Sequence, residues 1–255
     1  MTVKPSAHAR KQYATTTANL TARIAVHAFS TNPQDWFSWL DGHLPLAGAV
    51  LEVGAGTGKL WTRVDHVTRG LDLTLTDFSP AMCEHLRTIA DARVRQCDAA
   101  DLPFPDAVFD TVVANHMLYH VDDPDAALRE FARVLRPGGR LAVAVNGADH
   151  LAEFNLIGEL IGRPELTLLA SRNDFRAETG PTYVARHFTD VAVEAYPGDL
   201  EIPLVEPVLS YLASMAAEPL TPEQRAAAQA FVQGRIDADG VYRVRRHTVL
   251  ITAVR

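Results

Sequence analysis

Several residues suited to chemistry in this chain come directly after short apolar runs. A glycine cluster, 54–58 (GAGTG), follows the apolar run 49–53, and glycines let backbone amides come close to a ligand. Asp77 and Asp98 stand at the ends of two later runs, where a carboxylate can accept hydrogen bonds from hydroxyl or amino groups. The spacing predicts a ligand site assembled at the ends of successive strands.

Two histidines, His116 and His120, follow the next apolar run, 109–114. Histidine is suited to general-base catalysis near neutral pH, and an intervening helical turn would put both rings on one face. A two-histidine metal site is the alternative, but no nearby carboxylate at zinc-site spacing completes it. We therefore predict that both are catalytic candidates and that no metal is bound.

The glycine cluster alone leaves other ligands open. The dinucleotide fingerprint requires G-x-G-x-x-G/A, and counting from Gly54 puts Lys59 at the last position. A dinucleotide-dependent oxidoreductase is therefore the less favoured alternative. A tight strand-to-helix turn without any ligand also fits the cluster taken by itself.

The elements that must position these residues alternate between strand and helix over 49–146. Asp123-Pro124 and Ser79-Pro80 each combine an N-cap side chain with proline in the first turn of a helix. Parallel strands need such helical crossovers, so the pattern predicts an α/β, doubly wound, mostly parallel sheet with its ligand at the carboxyl ends of the strands. The predicted strands are 49–53, 71–76, 93–97, 109–114 and 140–145.

The two flanks of this core read less clearly. Two or three helices are predicted in residues 1–48, the last capped by Asn32 with Pro33 in its first turn. Trp36 is assigned to packing that docks this segment, with stacking on a substrate as the less favoured alternative. Residues 150–185 read as helical or irregular. In the remainder we predict strands at 191–196 and 247–254 and helices at 204–215 and 222–235, the second helix with a capping box between Thr221 and Gln224.

Composition limits the classes of function. The 255 residues are 47% hydrophobic and 22% charged, with a net charge of −7, typical of a globular protein whose charge disfavours nucleic acid. Cys83 and Cys97 have no C-x-x-C spacing, and no apolar run is long enough to span a bilayer. We expect a cytoplasmic protein that binds neither nucleic acid nor membrane.

The motifs taken together resemble the class I S-adenosylmethionine-dependent methyltransferases, specifically the small-molecule group. The resemblance implies a Rossmann-like, seven-stranded sheet with an N-terminal helical lid and an insertion before the sixth strand. It also implies one domain, divided into a lid (1–48), a cofactor-binding core (49–146), a cap insertion (147–190) and closing strands and helices (191–255). The motifs that carry it are 50–60 (VLEVGAGTGKL), 75–80 (LTDFSP), 97–99 (CDA), 101–110 (DLPFPDAVFD), 123–135 (DPDAALREFARVL) and 136–140 (RPGGR).

The same resemblance implies roles for individual residues. Asp77 would accept both ribose hydroxyls, Asp98 with Ala99 would read the adenine amino edge, and Arg23 from the lid would pair with the cofactor carboxylate. His116 and His120 are the catalytic candidates where the methyl group meets its acceptor. A structural role is the alternative for His120, since a histidine at its place in the family is often structural. The full predicted cofactor set is Tyr13, Arg23, Glu52, Gly54, Ala55, Gly56, Gly58, Asp77, Phe78, Met82, Asp98, Ala99 and Asn115.

The acceptor is expected to be a small molecule methylated at oxygen or nitrogen. Relatives that methylate amino groups of nucleic acids carry D/N-P-P-Y/F after the fourth strand, where this chain has Asn115-His116-Met117-Leu118. That departure agrees with the acidic charge in opposing nucleobase methylation. A protein that binds S-adenosylmethionine without transferring its methyl group remains an alternative, and the oligomeric state is left open.

Overall fold

A computed structural model describes Arg23, residues 25–166 and residues 173–255. Seven of its strands form one sheet in the order β3-β2-β1-β4-β5-β9-β6. The first five run parallel, and β9 runs antiparallel to both β5 and β6. The strands are β1 (Ala49–Val53), β2 (Asp72–Asp77), β3 (Ala92–Gln96), β4 (Phe109–Asn115), β5 (Leu135–Asn146), β6 (Thr189–Ala195), β7 (Leu200–Ile202), β8 (Tyr242–Val244) and β9 (Thr248–Val254).

The described helices lie between and beyond these strands. The α-helices are α1 (Trp36–His43), α2 (Pro80–Leu86), α3 (Pro124–Val134), α4 (Ala152–Leu160), α5 (Gly180–Val184), α6 (Val205–Met215) and α7 (Pro222–Asp239), with 3₁₀ turns at Val26–Phe29, Lys59–Thr62, Leu118–His120 and Pro164–Leu166. The predicted α/β, mostly parallel, seven-stranded sheet is therefore confirmed. Only a 3₁₀ turn follows the glycine cluster, so β1 connects to β2 without an α-helix.

Two of the predicted helix caps are present as hydrogen bonds. Asp123 accepts from the Ala126 amide at 3.0 Å, and the Thr221 side chain and Gln224 form the full capping box of α7. These caps satisfy amides that a helix start otherwise leaves unpaired, which explains why the helices begin where the sequence predicts.

The cap predicted for the last N-terminal helix was wrong. Helix α1 begins at Trp36, and Asp35 is its N-cap, since its carboxylate accepts from the amides of Phe37 and Ser38. Asn32 forms a different turn, in which its side-chain oxygen accepts from the Gln34 amide at 3.0 Å and its amide group donates to the Pro197 carbonyl at 3.2 Å. Asparagine favours either structure, and the tertiary contact selects the turn.

Both faces of the central strands of the large sheet are buried, whereas the edge strands β3 and β6 are largely exposed. On one face, Leu51, Val53 and Val112 pack with α3 and α5. On the other, Val50 and Leu75 pack with α1 and with Trp61 of the turn after β1. Side chains alternate between the faces along each strand, which places Glu52 on the same face as Val50. Both faces of a parallel sheet are expected to be covered in this way.

A second core of buried side chains lies apart from the sheet. It joins α4 with α6 and α7, the antiparallel pair of β7 and β8, and Val26 from the first 3₁₀ turn. The strands β7 and β8 were not predicted, because three residues each are too few for an alternating pattern to stand out. Helices α6 and α7, which sequence grouped with the closing strands, thus pack against the helix that follows β5.

Candidate active site

The glycine cluster turns the chain sharply at the carboxyl end of β1. Gly54, Gly56 and Gly58 have φ values of 68°, 57° and 67°, a region that glycine adopts without the penalty of a side chain. A Cβ atom on Gly54 would lie 2.7 Å from Cβ of Met117, whereas one on Gly56 would meet no described atom within 4 Å. Gly54 is thus required by packing, while Gly56 faces open space that a ligand can fill.

Asp77 binds the glycine turn from the end of β2. One carboxylate oxygen accepts from the Gly56 amide at 2.9 Å and the other accepts from the Ser79 amide at 2.8 Å. Burial raises the pKa of Asp77 against the lowering effect of these amides. The carboxylate is therefore fixed beside the open face of Gly56, with lone pairs left for further donors.

Glu52 is buried, with 2% of its surface exposed. Its Oε2 accepts from the indole Nε1 of Trp61 at 2.5 Å. Burial raises its pKa to about 8, the Trp61 hydrogen bond opposes that rise, and the negative charge of Asp77 adds to it. Glu52 thus supports the glycine turn by holding Trp61, which lies in the 3₁₀ segment that follows the turn.

The residues predicted to contact adenine lie at the ends of β2 and β3 and in α2. Met82 is buried in α2 and Ala99 is buried after β3. Asp98 is exposed, and its carboxylate accepts from the Ala100 amide at 2.9 Å. The Phe78 carbonyl accepts from the Gln96 side chain at 3.1 Å. These residues line the same edge of the sheet as the glycine cluster.

Two residues of α3 hold the loop 101–106, and sequence reasoning gave them no role. Arg133 donates to the carbonyls of Leu102 and Phe104 at 2.9 and 2.7 Å. Glu130 accepts from the Leu102 amide at 2.8 Å and pairs with Arg133 at 2.7 Å. A guanidinium fork can bind several acceptors at once, so two motifs distant in sequence form one rigid unit.

His116 follows the end of β4 in a strained conformation. Its φ of 57° is in the left-handed region, uncommon for a residue with a side chain although histidine is among the more tolerant types. Its amide donates to the Ala144 carbonyl of β5 at 3.0 Å, which fixes the backbone at that angle. Strained residues of this kind cluster at functional sites.

His120 does not share a helical face with His116. It closes the 3₁₀ turn Leu118–His120, whereas His116 precedes that turn. Asn173 braces the turn by donating to the carbonyls of Leu118 and Val121 at 2.8 and 2.7 Å. The helical arrangement that a paired histidine site would use is therefore absent in this described segment, and His120 lies beside Tyr119, with ring centroids 4.5 Å apart.

Aromatic rings cover His116, and sequence reasoning had assigned the nearest of them to packing. The Trp36 ring lies 5.3 Å from the His116 ring and 5.1 Å from the Tyr196 ring. Tyr196 donates from its hydroxyl to the Gln34 carbonyl at 2.6 Å. Trp36 is 80 positions from His116 and 160 positions from Tyr196 in the sequence, so no local pattern predicts these contacts.

Basic side chains gather on the same side of the molecule. Burial lowers the pKa of His27 to about 4, and the positive charges of Arg246 and Lys59 lower it further. Arg246 is itself buried and lies over the Tyr196 ring at 4.1 Å. His27 is therefore neutral at physiological pH, and the local field there is positive.

The lid residues are placed only in part. Arg23 donates from its guanidinium to the Ser214 carbonyl of α6 at 2.7 Å, a contact that ties the N-terminal segment to the second core. Its predicted pairing with the cofactor carboxylate stays a prediction. Tyr13 lies outside the described residues.

One buried side-chain atom beside the glycine turn lacks a partner. Asn115, the last residue of β4, has a buried Oδ1 that accepts no hydrogen bond from the described residues. Buried acceptors are normally paired, so this atom indicates a bound group that donates. Together with the Asp77 carboxylate and the open face of Gly56, it gives the carboxyl edge of β1, β2 and β4 hydrogen-bond acceptors and space for a polar ligand.

Comparison with known proteins agrees with this geometry. The family model described as "Methyltransferase domain" matches residues 51–143. A protein named as an uncharacterized methyltransferase from Mycobacterium tuberculosis is 42% identical over 134 residues, which cover 51% of this chain and 53% of that protein. The demethylmenaquinone methyltransferase of Thermus thermophilus is 39% identical over 153 residues, covering 58% of this chain and 67% of the relative.

A solved structure extends the likeness to the whole described fold. A SAM-dependent methyltransferase from Thermotoga maritima superimposes with a TM-score of 0.59 at 18% identity, covering 96% of this chain and 98% of that one. This likeness concerns the fold alone. The match to the mycobacterial relative spans about half of that protein's length.

The chain belongs to the class I S-adenosylmethionine-dependent methyltransferases. S-adenosylmethionine is the cofactor of this class, and the residues present fit it: the open face of Gly56, the Asp77 carboxylate and the Oδ1 of Asn115 offer space, a hydroxyl acceptor and an ammonium acceptor. Among the described helices, none has the length and apolarity needed to cross a bilayer.

Proposed function

We propose that the chain transfers a methyl group from S-adenosylmethionine to an oxygen or nitrogen atom of a small-molecule acceptor. The observation that carries this proposal is the grouping of Asp77, the open face of Gly56 and Asn115 around one edge of the sheet, with His116 beside them. When bound, the cofactor supplies a methyl group activated on a sulfonium. The chain's own contribution is to align the reacting atoms and exclude water.

The residues of the site divide between cofactor binding and catalysis. Asp77 accepts the ribose hydroxyls, for which its lone pairs remain available beside the Gly56 amide. Phe78 and Met82 flank the adenine, and Asp98 with Ala99 reads its amino edge. His116 takes a proton from the acceptor where the acceptor carries one. His120, held in the 3₁₀ turn beside Tyr119, is assigned a positioning part.

The net charge of the chain and the surroundings of His116 both support a small-molecule acceptor. A net charge of −7 disfavours a nucleic-acid substrate, and the Trp36 ring, which packs against Tyr196, lies against the His116 ring. Among the relatives, one is named 27-O-demethylrifamycin SV methyltransferase and another O-methyltransferase resE. We also propose that the chain acts as one domain and works in the cytoplasm.

Titration calorimetry with S-adenosylhomocysteine and, separately, NADH tests the cofactor half of the proposal. Binding of the first and not the second is expected, and binding of NADH alone would overturn it. Labelled S-adenosylmethionine incubated with a metabolite extract tests transfer. Cofactor binding without any labelled product would instead support the alternative of a binding protein that does not transfer methyl groups.

A further inference from the structure

Two buried polar atoms of opposite kind belong to Trp36, whose ring contacts the His116 ring, and to Asn115, the residue before His116. The Nε1 of Trp36 is a donor and the Oδ1 of Asn115 is an acceptor, and neither has a hydrogen-bond partner among the described residues. Burying either atom without a partner is unfavourable. Two such atoms next to a strained histidine indicate that a ligand completes them.

Trp36 is firmly held, so its free N–H does not reflect loose packing. Its ring stacks on Trp39 with centroids 5.4 Å apart and meets Tyr196 edge-on at 5.1 Å. Tyr196 is anchored in turn by its hydroxyl bond to the Gln34 carbonyl at 2.6 Å. The third aromatic contact is with His116, whose ring centroid lies 5.3 Å from that of Trp36. A side chain held by three such contacts presents its N–H in a fixed direction.

We propose that Trp36 Nε1 donates a hydrogen bond to the nucleophilic atom of the acceptor, and that this atom is therefore the oxygen of a hydroxyl compound. This inference rests on the proposed methyl transfer and specifies its substrate class. A hydroxyl oxygen has two lone pairs, so it can accept from Trp36 with one and attack with the other. A neutral amine has a single lone pair, which a fixed N–H donor would block.

The acceptor hydroxyl, the cofactor and His116 together account for every bond and proton in the proposed transfer. The hydroxyl oxygen forms a bond to the methyl carbon while the carbon–sulfur bond breaks and its electron pair stays on sulfur. The hydroxyl proton passes to the His116 ring. The Trp36 N–H keeps its own proton and stabilises the negative charge that builds up on oxygen, as oxyanion donors do.

Nuclear magnetic resonance of the indole N–H groups tests the contact without requiring turnover. The chain has three tryptophans, so a ¹⁵N-labelled sample gives three indole signals, and Trp36→Phe identifies the one from Trp36. We expect saturation with S-adenosylhomocysteine to leave this signal nearly in place. A large shift on that addition would show the cofactor to be the partner and would overturn the proposal.

Matched ligands then separate oxygen from nitrogen. Phenol, 5-indanol and benzyl alcohol are added to the S-adenosylhomocysteine complex, and aniline, 5-aminoindane and benzylamine are added in parallel at the same millimolar concentrations. The hydroxyl compounds are expected to move the Trp36 signal downfield. A response to the amines alone, or no response to any hydroxyl compound, counts against the assignment.

The product provides an independent readout. Protein is incubated with a metabolite extract of the source organism and S-adenosylmethionine carrying a ¹³C-methyl group, and the carbon shift of the product distinguishes O-methyl from N-methyl and C-methyl. An O-methyl product that falls at least tenfold with Trp36→Phe, but much less with the neighbouring Trp39→Phe, supports the proposal. An N-methyl or C-methyl product overturns it while leaving methyl transfer intact, whereas absence of any methylated product counts against the proposed function itself.

Discussion

The indole N–H of Trp61 donates a 2.5 Å hydrogen bond to Oε2 of Glu52 beneath the glycine turn. The pair joins β1 to the 3₁₀ segment that replaces a helix after it, and both side chains are buried. Because burial outweighs this hydrogen bond, the pKa of Glu52 is raised to about 8. The folded protein therefore keeps a proton on Glu52 at pH values where the unfolded chain has lost it.

This difference predicts a pH-dependent stability. Between pH 4.5, the ordinary pKa, and about 8, the unfolded chain binds fewer protons than the folded one, so the free energy of unfolding falls as pH rises. Glu52→Gln should remove this fall and make the cofactor-free protein more stable than wild type at pH 8 by about 1 kcal/mol or more. Chemical denaturation at pH 5 and pH 8 measures it. Glu84→Gln, at an exposed position on α2, is the control, and an equal pH slope in wild type and Glu52→Gln would refute the prediction.

Replacing Asp77 should weaken cofactor binding. Asp77→Ala removes the acceptor for the ribose hydroxyls and frees the Gly56 amide that it holds at 2.9 Å. The expected loss in affinity for S-adenosylhomocysteine is about 1–3 kcal/mol, read by calorimetry. Asp72→Ala, at the opposite end of the same strand, should leave the affinity unchanged. If the two variants bind alike, Asp77 has no ribose role.

Two alanine substitutions in the glycine cluster should separate packing from binding. Gly56→Ala is expected to cost about 1–2 kcal/mol of stability, because its φ of 57° is unfavourable for alanine. Gly54→Ala should cost about 1–3 kcal/mol more, since its Cβ would lie 2.7 Å from Cβ of Met117. Thermal unfolding gives both values. In the folded fraction, Gly56→Ala should lower cofactor affinity because its methyl group enters the open space; unchanged binding would mean that the cofactor does not lie there.

His116 should affect turnover more than binding. His116→Ala is expected to lower the rate of methyl transfer by a factor on the order of a hundred or more while cofactor affinity is preserved. Asparagine tolerates the same positive φ. His116→Asn therefore separates the loss of a base from a change in backbone strain. His85→Ala, exposed on α2, is the control. A loss of only a few-fold in both His116 variants would assign the residue to positioning.

Most of the fold of the cofactor-binding core could be predicted from the sequence, because the signals in that part of the chain are local. Caps such as Asp123 and Thr221 act within one helical turn, and β1, β2 and β4 each end at, or directly before, a candidate site residue. The number of strands came from the family resemblance, and the observed sheet has the seven strands that it implied.

What sequence could not predict depends on contacts between distant segments. Asn32 and Asp35 are both good caps, and the bond from Asn32 to Pro197 decides between them. Trp36 was assigned to packing because nothing near it in sequence reveals that its ring would meet His116. Arg133 and its loop partners likewise join residues about thirty positions apart.

The second core, built from α4, α6, α7, β7 and β8, packs apart from the buried residues on the two faces of the large sheet. The segments that build the second core leave and rejoin the sheet at neighbouring points, where Asn146 of β5 pairs with Thr248 of β9. The second core can therefore unfold as a separate cooperative unit. Backbone amides of α7 should exchange with deuterium well before those of β4, because the second core unfolds locally while the sheet remains folded. Simultaneous exchange would show a single cooperative unit.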